Sequence, residues 1–99
     1  MYDILIKDCQ VVDGTGKPAY KGSIGITGTR ITAMGDLRET SKVTIEGKGL
    51  VACPGFVDPH SHADRAVMHD PVAGNLLAQG ITTFAGGNCG SSLAPLNPG

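Results

Sequence analysis

Pro54-Gly55-Phe56-Val57-Asp58-Pro59-His60-Ser61-His62 joins a short apolar run to two histidines spaced i, i+2. Successive side chains of an extended strand point to opposite faces, so residues two apart share one. Asp58, His60 and His62 therefore face the same way, with both imidazoles at the strand's end. Ring nitrogens placed like that suit one divalent ion held at about 2.0–2.1 Å from each. On a helix, positions i and i+2 diverge. The pair makes sense as ligands only if this stretch is a strand.

Reading toward the C-terminus, residues 63–70 form a loop. Asp70 is suited to cap a helix with Pro71 at its first position. The helix runs over residues 71–79, and Gly80 supplies its left-handed terminus. Ile81-Thr82-Thr83-Phe84-Ala85 is a β-branched strand, and Gly86-Gly87-Asn88-Cys89-Gly90 a tight loop after it. Strand, helix, strand is a βαβ unit, with parallel strands and a right-handed crossover. Its two strands end at the same sheet edge, where catalytic groups gather in parallel α/β folds. His60 and His62 end the first strand and Cys89 lies just beyond the second. Two imidazoles and a thiolate suit Zn²⁺. The flanking glycines let the backbone bend sharply around Cys89. Asp58, one step deeper, is placed to hydrogen-bond a liganding imidazole and fix its tautomer. Asp64 has a similar option, or lines the mouth.

Reading toward the N-terminus, residues 3–7 and 10–13 are two short strands. Gly14-Thr15-Gly16-Lys17-Pro18 is a turn whose spacing fits neither phosphate-binding glycine motif. Residues 23–26 and 30–34 flank Thr27-Gly28-Thr29 as a hairpin, with Gly28 at the positive-φ position. Residues 43–46 and 50–53 are further strands. The chain thus divides into a β-rich part, residues 1–53, reading as part of a small sandwich or open sheet, and the βαβ part, residues 54–99.

The whole is 99 residues, far short of the roughly 250 of a complete (β/α)8 barrel. A net charge of -1, with lysines and arginines scattered, leaves no footprint for nucleic acid or an anionic membrane. The sequence shows no charged-then-apolar leader and no apolar run near 18 residues, so neither secretion nor a membrane span is expected. Three cysteines, an odd count, read as reduced thiols in the cytoplasm. Plainer assignments stand beside the chemical ones. A free cysteine such as Cys89 is often a small buried residue. Cys9 and Cys53 lie in β runs and default to core packing. His69 reads as a solvated loop residue.

Pro54-Gly55-Phe56-Val57-Asp58-x-His60-x-His62 resembles the first-strand signature of the amidohydrolase superfamily. The opening β segment is similar to that superfamily's N-terminal strands. Gln79-Gly80-Ile81-Thr82-Thr83, followed by Gly87-Asn88-Cys89-Gly90-Ser91-Ser92-Leu93-Ala94-Pro95-Leu96, resembles the N-acyl-D-amino-acid deacylases, the D-aminoacylases. The resemblance covers essentially the whole chain. It implies a zinc-dependent amide hydrolase on a (β/α)8 barrel flanked by a small β-sandwich, with one or two Zn²⁺ and a small N-acyl-D-amino acid as substrate. By position it makes His60, His62 and Cys89 metal ligands, Cys89 standing where many relatives use a carboxylated lysine. It also implies a longer parent, with two more liganding histidines and the aspartate base downstream, and no catalytic base here. The expectation is an N-terminal piece, catalytically silent alone and self-associating through open strand edges. Three rival readings remain: a hydantoinase- or dihydroorotase-like cyclic amide hydrolase, a non-catalytic amidohydrolase-like scaffold, and a small β-rich binding module with an accidental histidine pair.

Overall fold

Runs of alternating Ile, Val and Thr make the first half of the chain a sheet. The computed structural model describes residues 1–93. Its first unit spans Met1–Pro54 and its second begins at Gly55. The first holds β1 (Tyr2–Val11), β2 (Tyr20–Thr27), β3 (Arg30–Gly35), β4 (Ser41–Glu46) and β5 (Val51–Ala52). They form one open sheet in the order β3-β2-β1-β4, with β5 also pairing β1. The β1–β2 and β2–β3 pairs are antiparallel. β4 and β5 run parallel to β1, along its first and last residues respectively. β2 already occupies the other edge of β1, so β4 and β5 share the edge that remains.

The two strands expected over residues 3–7 and 10–13 are one. β1 is continuous, and its register against β2 shifts by one residue between Ile6 and Cys9. Asp8, with φ 56, is the extra residue of a bulge. Its freed backbone N–H donates to Ser23 Oγ at 3.1 Å, which gives the buried Ser23 hydroxyl a partner. Strict alternation would put Ile6 and Cys9 on opposite faces. With the bulge, Ile6 packs into the same cluster as Cys9, Val11 and Ile24. Cys9 is buried, as its place in a β run suggested. Cys53 is exposed, against expectation, because it lies past the end of β5 rather than within a strand.

The second unit holds β6 (Phe56–Asp58), α1 (Ala63–Ala66), α2 (Gly74–Leu77) and β7 (Ile81–Phe84). β6 and β7 pair in parallel, Val57 opposite Thr83 and Asp58 opposite Phe84, as the βαβ reading requires. Gly55 lets the strands approach closely, since a Cβ there would overlap the Thr82 side chain. Phe56 and Val57, apolar as they are, stand 56% and 66% exposed, because β7 is the strand's sole neighbour among the described residues.

The helical segment also differs. Residues 63–70 include the turn of helix α1, and the helix expected over 71–79 shrinks to α2. The cause is at Asp70. Its carbonyl accepts the Ala73 N–H at 2.9 Å, closing a turn over Pro71 and Val72. Its carboxylate accepts the Gly74 N–H at 3.0 Å, so it caps from four residues back, with Ala73 (φ 53) as the helix boundary. Gly80, at φ 80, ends the segment in the left-handed conformation foreseen. No helix among the described residues is long and apolar enough to cross a membrane. The segment 94–99, which carries the end of the deacylase-like run, lies outside the described residues.

Candidate metal centre

The end of β6 is held by several local hydrogen bonds. The Asp58 carbonyl accepts the Ala85 N–H at 2.9 Å, and the Ser61 N–H donates to the Ala85 carbonyl at 3.0 Å. β6 and β7 are therefore held together one step past their last paired residues. Asp58 Oδ1 accepts the His60 N–H at 3.1 Å, and Ser61 Oγ accepts the Ala63 N–H at 3.1 Å. His62 occupies the N-cap position of α1 but makes no side-chain capping bond, which leaves its ring nitrogens available.

Beyond β7, a turn runs from Gly87 to Gly90, closed by the Gly90 N–H on the Gly87 carbonyl at 3.1 Å. Gly87 and Gly90 have φ 83 and 76, a conformation that glycine adopts without strain. Asn88 and Cys89 occupy the turn's two central positions. The Cys89 sulfur meets His60 Nε2 at 2.5 Å. The His60 and His62 rings stand 5.8 Å apart, tilted by 57°. One ligand atom from each of His60, His62 and Cys89 lies within 4.8 Å of the other two. Donors around a tetrahedral zinc ion sit about 3.4–3.6 Å from one another. Two imidazoles and a thiol gathered within 4.8 Å are the donor types of such an ion and leave a fourth position open, and the His60–Cys89 pair has to part by about 1 Å to admit it.

All three side chains are exposed, so the assignment of Cys89 as a small core residue does not hold. Asp58 and Asp64 stand outside the donor group. Asp58 supports the loop through the His60 main-chain N–H, where an imidazole contact was anticipated. Asp64, in the first turn of α1, lies beside Gly86. Two further contacts join the histidine loop to the cysteine loop. The Asn88 side-chain amide donates to the Pro59 carbonyl, and Arg65 Nη2 donates to Ser91 Oγ at 2.9 Å. A polar residue next to a candidate ligand in a glycine-flanked turn was the one available hint of the first. His69 is exposed and takes no part in the donor group.

A histidine pair just past one parallel strand and a thiol beyond the next is the arrangement that the amidohydrolase resemblance implies. Comparison with known proteins narrows this. No protein-family model matches the chain. It is 42% identical over 96 residues to an N-acyl-D-aspartate deacylase of Alcaligenes xylosoxydans xylosoxydans, covering 96% of this chain and 19% of that one. To a D-aminoacylase of the same organism it is 38% identical over 96 residues, 20% of that protein's length. It superimposes on a crystal structure of D-aminoacylase with a TM-score of 0.91 and 38% identity, over all of this chain and 22% of the other. Against an N-acyl-D-glutamate deacylase of Bordetella bronchiseptica, complexed with zinc and a phosphonate inhibitor, the TM-score is 0.88 at 36% identity, over 95% and 20% of the two chains. The chain is thus a homologue of the N-acyl-D-amino-acid deacylases and corresponds to their N-terminal region. It spans about a fifth of the length of the curated relatives it matches.

Proposed function

We propose that this chain supplies the first part of the metal centre of a zinc-dependent amidohydrolase, one that cleaves N-acyl-D-amino acids to a D-amino acid and a carboxylate. The reading rests on one observation above all: His60, His62 and Cys89 bring their ligand atoms together at the strand edge of a fold shared with the deacylases. The first unit would belong to the flanking β-sandwich and the second to the opening βαβ of the barrel. Two relatives by name act on N-acyl-D-aspartate and N-acyl-D-glutamate, which supports small N-acylated D-amino acids as the substrate class.

The three donors are the chain's contribution to the chemistry. His60 and His62 bind through ring nitrogens, and Cys89 as the thiolate. Asp58 fixes the His60 backbone, and Asp64 stands at the mouth beside Gly86. When bound, zinc supplies Lewis acidity, polarising the scissile carbonyl and bringing the pKa of a bound water to about 7. A general base and further ligands would come from the remainder of a longer parent.

The test measures zinc content and hydrolysis of N-acetyl-D- and N-acetyl-L-amino acids by the full-length protein. The expected result is bound zinc and turnover of the D series. Cys89→Ser should lower zinc affinity by more than about tenfold, since even groups that only orient a ligand are worth about 10–100-fold. Hydrolysis confined to cyclic amides, or robust turnover by the isolated 99 residues, would overturn the reading.

A further inference from the structure

The histidine loop and the cysteine loop meet at two successive rungs. Asn88 reaches Pro59, and the next residue, Cys89, reaches the next residue, His60. The first rung is a side-chain amide on a main-chain carbonyl. It adds no metal ligand, yet it fixes which residue of one loop stands opposite which residue of the other. We propose that Asn88 is a positioning residue for the metal centre: its amide, bonded to the Pro59 carbonyl, sets the register that delivers the Cys89 sulfur to the ion held by His60. The inference rests on the zinc reading above.

Three features of the molecule favour it. Asn88 and Cys89 occupy the central positions of one short turn, so moving the first moves the second. The turn's two ends are glycines at positive φ, which leave the turn free to swing unless something outside it holds it. Among the described residues, the main-chain bonds at this end of β6 stay within that segment or tie it to Ala85, and Arg65 reaches Ser91, which lies past the turn. The Asn88 amide ties the turn itself. The bond is solvent-exposed, and an exposed amide–carbonyl bond trades against bonds to water, so its contribution to overall stability is small. What it governs is where the thiol sits.

The test uses the full-length protein with zinc and cobalt(II) as probes. Asn88→Ala removes the amide. Asn88→Asp keeps its shape and removes the donor. Both are expected to weaken zinc binding by about tenfold, the lower end of what orienting groups around a metal contribute. Both should also weaken the thiolate-to-cobalt charge-transfer band, while the melting temperature of the metal-free protein stays within a degree or so. Asn75→Ala, on the exposed surface of α2, should change none of these. In a Cys89→Ser background the Asn88 effect on zinc affinity should vanish, because a group that acts by delivering the thiolate has nothing left to deliver. If both Asn88 variants keep the unsubstituted protein's affinity and cobalt spectrum, the positioning role is overturned and the zinc reading stands. An equal loss in the Cys89→Ser background, or a matching fall in melting temperature, marks a general structural effect and also overturns it. Failure of the unsubstituted protein to take up zinc overturns both.

Discussion

Asp8 holds a left-handed backbone, φ 56, in the middle of a ten-residue strand. For most residues that conformation costs about 1–2 kcal/mol, and aspartate is among the few that tolerate it. What is gained is phase. The bulge lets Ile6 and Cys9, three apart, enter one cluster with Val11 and Ile24. Asp8→Val should therefore destabilise the protein by about 1–2 kcal/mol, and Asp8→Asn by much less. Chemical denaturation of the two variants checks this; equal midpoints would show that the bulge carries no strain. The bulge was not legible in the sequence, where Asp8-Cys9 falls between two expected strands. The meeting of His60, His62 and Cys89 was legible from the parallel edge, but strand parity is not what places the histidines: β6 stops at Asp58, and His62 stands at the N-cap of α1 with φ -101 and ψ 19. Asn88 was not legible, because its partner is a main-chain carbonyl, and every residue carries one. Asp58 was placed on the strand ahead of the histidines, where it lies, but its bond goes to the backbone, a choice that spacing does not determine.

At the scale of elements, the strands were legible because β-branched residues alternate within them and glycines separate them. The helices were not. The Asp70-Pro71 signal is real, but Asp70 spends its carbonyl on a turn and its carboxylate four residues on, leaving a single helical turn. A different aspartate ties three elements of the sheet. Asp3, on β1, accepts the Gly28 N–H of the β2–β3 turn at 2.7 Å and pairs with Lys42 of β4 at 2.5 Å. The Gly28 bond first, and Lys42 second, hold its carboxyl below the ordinary value of 3.8. A carboxyl lowered by folding stabilises the folded state fully above its unfolded value. That contribution is lost as the pH falls through the folded value. The stability of the protein should thus drop below about pH 4 more steeply than that of Asp3→Asn, which has no such carboxyl to protonate. Equilibrium unfolding between pH 2 and 6 measures it, and parallel curves for the two proteins would remove Asp3 from the acid limb.

At the scale of the molecule, the sheet of the first unit carries an aliphatic surface out of proportion to what covers it. Residues directly opposite in a pair share a face. Ile4 stands opposite Ile26 and Val43, Ile6 opposite Ile24 and Ile45. Ile24 in turn stands opposite Met34, and Ile26 opposite Ile31. One face is therefore aliphatic across four strands. Yet Ile31, Met34, Val43 and Ile45 remain 62%, 49%, 54% and 46% exposed. Burying one such side chain fully is worth about 1.5–3 kcal/mol, and monomers rarely leave a contiguous patch of this kind in water. β3 and β4 also leave their outer edges unpaired among the described residues, which offers backbone bonds to another chain. The 99 residues produced by themselves should self-associate at micromolar concentration and bind a hydrophobic dye. Ile31→Lys with Ile45→Lys puts a charge on β3 and another on β4, both at half-exposed sites on this one face. The pair should shift the species toward monomer while the β-sheet circular dichroism is kept. Sedimentation velocity over a concentration series makes the measurement. A monomer independent of concentration in the unsubstituted chain would show that the face needs no cover, and that the two halves of each aliphatic pair satisfy one another.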